Sequence, residues 1–173
     1  MKIYFCFLIS LFLISCQLKK SDKLTTNTSK NITQKAPDTI VNSIIHNPNF
    51  IICDLDGDIK NDSVVIVQSL KTKKYGFKIV YGKGKTDFLG LGNEILEQGF
   101  DDIDWVGIFE KAPRGEKYAN NVDENGDIIA ENQIQEKDKI KLVNDGIFIH
   151  QAESCGGGVI YFDNGKYNWI QQE

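Results

Sequence analysis

The sequence predicts a mainly β fold: a small antiparallel β-sheet domain built of β-hairpins, with little helix, placed after a signal segment and a flexible tether. Three observations carry this. Beyond residue 47 the apolar residues recur in short β-branched and aromatic runs, not at helical spacing. Gly, Asn and Asp punctuate those runs where tight turns require positive φ. No segment repeats at the period of a solenoid or a full propeller. The 173 residues, 41% hydrophobic and 25% charged with only 3 Pro, have the make-up of one globular domain, neither a multidomain enzyme nor a polytopic membrane protein.

The chain opens with Met1-Lys2 and a 12-residue apolar run, Ile3 to Ile14, ending at Ser15-Cys16. A positive start, an apolar stretch and a small-residue exit have the layout of a secretory signal. A bilayer-spanning helix needs about 20 apolar residues, so this run does not make a permanent span. Leu13-Ile14-Ser15-Cys16 resembles the bacterial lipobox. The resemblance implies that residues 1–15 are removed, that Cys16 is acylated, and that the chain is membrane-attached through lipid, each buried CH2 adding about 0.8 kcal/mol. An ordinary secretory signal with an incidental cysteine is the other reading. Gln17 stands where many inner-membrane lipoproteins carry Asp, so the resemblance implies the outer membrane, on its periplasmic or surface face.

Residues 16–46 read as the lipidated Cys and a polar tether rich in Ser, Thr, Asn and Lys, too poor in apolar surface to offset its ordering entropy. Within it Asp38-Thr39-Ile40 resembles the short O-glycosylation acceptor pattern of Bacteroidota. The β domain is expected over residues 47–173. The chain as a whole carries 20 basic and 24 acidic side chains, but residues 47–173 hold 14 against 22, a net of −8. Such a surface does not neutralise a phosphate backbone, which excludes nucleic acid as a partner.

Candidate strands are Asn49 to Cys53, Ser63 to Ser69, Tyr75 to Tyr81, Trp105 to Glu110, Lys139 to Leu142, Gly146 to Gln151, Val159 to Phe162 and Tyr167 to Gln171. Asn144-Asp145-Gly146 and Asp163-Asn164-Gly165 read as hairpin turns, and Gly82-Lys83-Gly84 as a third. Glu94 to Phe100 could form one short helical turn. Tyr161, Tyr167 and Trp169 are expected to stack across the last hairpin as core or half-core packing, with a carbohydrate-binding platform as the sharper alternative.

The most informative segment is Cys53-Asp54-Leu55-Asp56-Gly57-Asp58-Ile59-Lys60-Asn61-Asp62, followed at once by the apolar SVVIV. Asp54, Asp56, Asp58 and Asp62 fall at positions 1, 3, 5 and 9 of a loop, with Gly57 at the turn. Carboxylates this close repel unless a cation sits among them, and Ca2+ suits a flexible loop of oxygen donors to which Lys60 can add its main-chain carbonyl. The loop departs from an EF-hand: Ile59 stands where that motif has Gly, Val65 where it has a bidentate Glu, and the flanks read as strands. It resembles the DxDGDxxxD calcium loop of FG-GAP/VCBS-type repeats, the blades of integrin-α-like propellers. The resemblance covers Ile51 to Ser69 and implies side-chain ligands Asp54, Asp56, Asp58 and Asp62, a main-chain ligand at Lys60, and one Ca2+. A solvated acidic turn without metal is the alternative. Asp123, Asn125, Asp127 and Glu131 repeat the spacing around Gly126, but polar flanks favour a plain surface loop. GFDDIDWVGIF, the DENGD loop and the terminal ESCGGGVIYFDNGKYNWIQQE together resemble lipoproteins of Bacteroidota, a resemblance that implies lineage and no activity.

Cys53 and Cys155 remain in the mature domain, and in an oxidising compartment the readings are a Cys53–Cys155 disulfide or two separate buried thiols. Cys155 as nucleophile, His150 as base and the glycines 156–158 as oxyanion donors would make a thiol-dependent hydrolase, but five residues of strand and exit separate the pair and point them apart. His46, the other histidine, is assigned to the tether. The leading expectation is therefore a non-catalytic, Ca2+-stabilised, outer-membrane-anchored binding or interaction module for another protein or a glycan. The alternatives are an inhibitor or immunity-type lipoprotein that steers a basic partner onto its acidic face, and the hydrolase.

Overall fold

Residues 38–123 and 125–173 are described by a computed structural model of the chain. The signal, the lipidation position Cys16 and the tether up to residue 37 lie outside the described residues. Eleven strands are formed among the described residues: β1 (Ile40–Asn42), β2 (Phe50–Cys53), β3 (Asp62–Ser69), β4 (Tyr75–Val80), β5 (Thr86–Gly90), β6 (Ile108–Ala112), β7 (Lys117–Tyr118), β8 (Ile140–Lys141), β9 (Gly146–His150), β10 (Gly157–Asp163) and β11 (Lys166–Gln172). The fold is mainly β, as the sequence predicts, and every named pairing is antiparallel.

Period-two alternation decides the faces. In β3 Val64 and Ile66 point inward, as do Phe77 and Ile79 of β4, Ile147 and Ile149 of β9, and Ile160 of β10, all fully buried in one shared core. The first sheet runs β1-β3-β4-β5, with β2 also on β3, and the second runs β11-β10-β9-β6. Because side chains of both sheets meet in that core, the two sheets pack face to face as a sandwich. Phe77 of the first sheet stacks on Phe109 of the second at 5.7 Å between ring centres. Each such buried apolar side chain contributes about 1.5–3 kcal/mol. The outer face of the second sheet forms a smaller cluster of Ala112, Leu142, Val159 and Ile170, flanked by Tyr118 of the short β7–β8 ribbon.

Two of the expected turns close hairpins. Asn164 and Gly165 have φ of 50° and 81° between β10 and β11, as a two-residue type I′ loop requires. Gly82 to Gly84 joins β4 to β5, with Tyr81 N–H donating to the Lys85 carbonyl at 2.9 Å. The third does not. β8 pairs with β7, and β9 pairs with β6 and β10, so Asn144-Asp145-Gly146 carries the chain from ribbon to sheet. Its Asp145 carboxylate accepts from the amides of Asp54 and Arg114, which holds the chain in this crossing in place of a hairpin.

The domain also starts earlier than residue 47. Ile40–Asn42 pairs with β3, and His46 is buried, its ring bonded to Ser43 Oγ at 2.6 Å and to the Ile103 carbonyl at 3.1 Å. The apolar pairs Ile40-Val41 and Ile44-Ile45 do not alternate as a half-buried strand would, and only the long β3 template makes Ile40–Asn42 a strand. Asp38 is part of the same edge, accepting from Ser69 Oγ and Lys71 N–H. β5 and β7 likewise form where no strand is expected, while Glu94 to Phe100 makes turns and no helix. In the last hairpin Phe162 lies opposite Tyr167 and Tyr161 lies opposite Asn168, so Tyr161 faces the outer cluster, away from Tyr167 and Trp169.

Candidate metal centre

The acidic loop joins β2 to β3, closing on the pair Cys53 and Asp62. Its turn is made by Gly57 and Ile59, both with positive φ, 76° and 66°. Position six of the loop is thus left-handed, as in an EF-hand, but a β-branched residue occupies it, at a cost of about 1–2 kcal/mol. Gly57 has a second reason to be glycine: a Cβ there would lie 2.3 Å from Asn144 Oδ1.

Each carboxylate of the loop takes one loop amide. Asp54 Oδ2 accepts from Ile59 N–H at 3.1 Å, Asp56 Oδ1 from Asp58 N–H at 3.4 Å, and Asp58 Oδ1 from Lys60 N–H at 2.9 Å. One carboxylate oxygen from each of Asp54, Asp56 and Asp58 lies within 4.8 Å of the others. At an effective dielectric of about 20, two unit charges that close repel by about 3–4 kcal/mol before further solvent screening. Lys83 of the β4–β5 turn answers one of these charges with an ion pair to Asp56, and that bond raises the ammonium's pKa. Asp54 Oδ1 is buried without a hydrogen-bond partner among the described residues.

Asp62 stands apart from that trio. It is fully buried, and its two oxygens accept from Leu55 N–H and Gly82 N–H, both at 2.8 Å. It ties the loop to the β4–β5 turn that carries Lys83. Lys60 is exposed, its side chain lying beside Gly82 of the β4–β5 turn. From the second sheet Asp145 accepts from Asp54 N–H at 3.0 Å and returns its own N–H to the Asp54 carbonyl at 3.1 Å. Burial works to raise the Asp145 pKa, but the amides of Arg114 and Asp54 and the Lys111 ammonium, 3.5 Å away, outweigh it and hold the carboxyl low.

The residues present fit a hard divalent cation. All converging donors are carboxylate oxygens, the cluster is short of positive charge, and one buried oxygen lacks the partner that a buried anion requires. Lys83 and Asp145 are the participants that sequence spacing did not single out. Lys83 is 27 positions from Asp56 and Asp145 is 91 from Asp54, so only the sheet pairing brings them in.

The second acidic loop is built differently. Asp123 Oδ1 accepts from both Asn125 N–H at 2.8 Å and Asp127 N–H at 3.0 Å, and a Val122–Ile128 bridge closes the turn. It is a surface turn whose leading carboxylate is satisfied by its own backbone, and these bonds lower the Asp123 pKa. Glu131 begins a separate 3-10 turn.

Both thiols are free, which corrects the disulfide reading. Cys53 adjoins Asp54, which is bonded to Asp145 just before β9, whereas Cys155 is exposed in the loop after β9. The strand between these ends spans about 13 Å at 3.3 Å per residue, well beyond the roughly 7 Å a disulfide can bridge. Burial, reinforced by Asp62, pushes the Cys53 thiol up to about 12. His150 turns Nδ1 to the Gln151 carbonyl at 2.7 Å, and no hydrogen bond joins it to Cys155 among the described residues. No helix among the described residues is long and apolar enough to cross a membrane. Compared with known proteins, the chain matches no family model, no curated protein and no solved structure.

Proposed function

We propose that this protein is a lipid-anchored, non-catalytic binding domain of the outer membrane, attached through Cys16, whose fold is stabilised by one Ca2+ held among Asp54, Asp56 and Asp58. The observation that supports the metal reading is the convergence of the Asp54, Asp56 and Asp58 carboxylates together with a buried Asp54 Oδ1 that has no hydrogen-bond partner among the described residues. The resemblance to FG-GAP/VCBS-type loops implies Asp62 and the Lys60 carbonyl as further ligands, and in this fold the two Asp62 oxygens accept from the Leu55 and Gly82 amides, so Asp62 acts as the tie beneath the trio. The ion supplies charge neutralisation and no reaction. The chain's own residues do the rest: Asp62 and Asp145 fix the loop against both sheets, and Lys83 partly neutralises Asp56. The anchor and the location rest on the Leu13-Ile14-Ser15-Cys16 resemblance.

An ion bound only by the folded chain adds RT ln(1 + [L]/Kd), about 2.7 kcal/mol at a hundredfold excess over Kd. For a domain of this size that raises the thermal midpoint by roughly 10 °C. Melts in EGTA and then in excess Ca2+ should show this rise, and Asp56→Ala and Asp58→Ala should abolish it. A midpoint that stays the same in both buffers removes the metal.

A further inference from the structure

We infer that the cleft between Trp105, Phe100 and Trp169 binds a neutral oligosaccharide, an assignment that rests on the binding-domain reading above and names its ligand class. The segment between β5 and β6 lays Phe100 between the two indoles, edge-on to Trp105 at 5.5 Å and 84° and to Trp169 at 5.8 Å and 67°. All three rings remain half-exposed in a cleft of about 280 Å³ whose floor is Gly156-Gly157. That volume lies just below the range typical of drug-sized ligand pockets, about 300–1,000 Å³. Trp169 is held close to the sheet: a Cβ on Gly158 would lie 2.2 Å from its Cζ2, so only glycine admits the ring there.

The polar lining is made of amides. Gln98, Gln151 and Gln171 line the cleft, and the Glu173 carboxylate beside Gly156 accepts from the Gln171 amide. Gln171 is fixed in place, accepting from Trp169 Nε1–H at 2.8 Å and donating to Glu173. Gln151 offers a side-chain amide with no hydrogen-bond partner among the described residues, so its donor and acceptor are both open to a ligand. Sugar rings present an apolar C–H face and an edge of hydroxyl groups that both donate and accept. Indole faces meet the first, and carboxamides, with one donor end and one acceptor end, meet the second. The lining of the first cleft is rings, amides and glycine, with no cationic side chain to hold an anion. A second cleft, of about 400 Å³, shares Trp169 and Gln98 with the first and adds Tyr167, Asn168 and the oppositely charged Glu97 and Lys166. Two adjoining concavities about one indole accommodate consecutive sugar units, hence an oligosaccharide.

The 2 tryptophans of the chain both line this cleft, so intrinsic fluorescence reports on it directly. The full-length protein in Ca2+ buffer would be titrated with cellohexaose, laminarihexaose, maltohexaose and chitohexaose, and with a decaproline peptide as competitor class. A saturable change is expected with at least one sugar. Gln151→Ala, which breaks no side-chain hydrogen bond among the described residues, should weaken it roughly tenfold while melting like the parent. Trp169→Phe, which keeps an aromatic ring over Gly158, should weaken it at least as much, read by calorimetry. No saturable change with any of the four sugars, binding of decaproline alone, or sugar binding indifferent to both variants overturns the assignment. The two readings fail separately. A protein whose melting responds to Ca2+ but which ignores every sugar loses the saccharide and keeps the ion; one that binds sugar while its melting ignores Ca2+ loses only the ion.

Discussion

Two loops of this domain carry carboxylate or carboxamide residues at the same 1, 3, 5, 9 spacing with glycine at the turn, and the fold treats them in opposite ways. In residues 54–62 the ninth position is the fully buried Asp62, which spends both oxygens on the amides of Leu55 and Gly82. In residues 123–131 the ninth position is an exposed glutamate outside the turn. The first loop is fastened to the second sheet through Asp145, whereas the second is closed by its own Val122–Ile128 bridge. Fastening has a chemical result. A loop held from outside cannot relax to satisfy every oxygen, so Asp54 Oδ1 stays buried and partnerless. A loop held only by itself folds around its leading carboxylate and satisfies it. Spacing therefore nominates both loops, and anchoring separates them.

The sharpest way to break this contrast is to remove the ninth residue of each. Asp62→Ala leaves two backbone amides without their buried acceptor and should cost about 3 kcal/mol or more in urea unfolding. Glu131→Ala should stay within about 0.5 kcal/mol. Equal losses would mean that the anchoring of the first loop has no energetic content.

A second, smaller effect concerns Lys83. Replacing it by Met removes the cation already paired with Asp56 and leaves the trio's repulsion to the ion alone. The Ca2+-induced rise in melting midpoint should then exceed the parent's. A rise equal to or below the parent's would show that Lys83 does not share the neutralisation.

The smallest expected effect is with pH. Asp145 and Asp123 both sit below the ordinary value of 3.8. A depressed carboxyl contributes stability that is complete above its unfolded pKa and is lost as pH falls through its folded one. Below about pH 4 that loss should lower the global unfolding midpoint through Asp145, which joins the two sheets. Through Asp123 it should appear only as faster hydrogen exchange at the amides of Asn125 and Asp127. Acid exchange at Asp54 N–H that matched those two, with no change in midpoint, would erase the distinction.

Much of this architecture is legible from local pattern. The alternation in Ser63 to Ser69 and the Asn164-Gly165 turn need no distant partner, because period-two burial and positive-φ chemistry are properties of a few adjacent residues. Asn144-Asp145-Gly146 looks like the same kind of turn and is not, because what Asp145 bonds to lies 91 positions away on the other sheet. Ile40–Asn42 and His46 escape notice for a related reason: their order comes from β3 and from the Ile103 carbonyl. In the acidic loop the trio Asp54, Asp56 and Asp58 is visible as spacing, while the roles of Asp62 as a buried tie and Lys83 as a counter-charge are not.

By itself, then, the sequence determined a mainly β domain, the position of its principal acidic loop and an excess of negative charge, since these follow from composition and short-range periodicity. The tertiary structure alone decided which carboxylates converge, which oxygen is left without a partner, that the two thiols lie at opposite ends of a strand, and that Phe100 joins the two tryptophans in one cleft. The physical reason is common to all four: each depends on the pairing and packing of the sheets, which brings together residues that local spacing keeps apart.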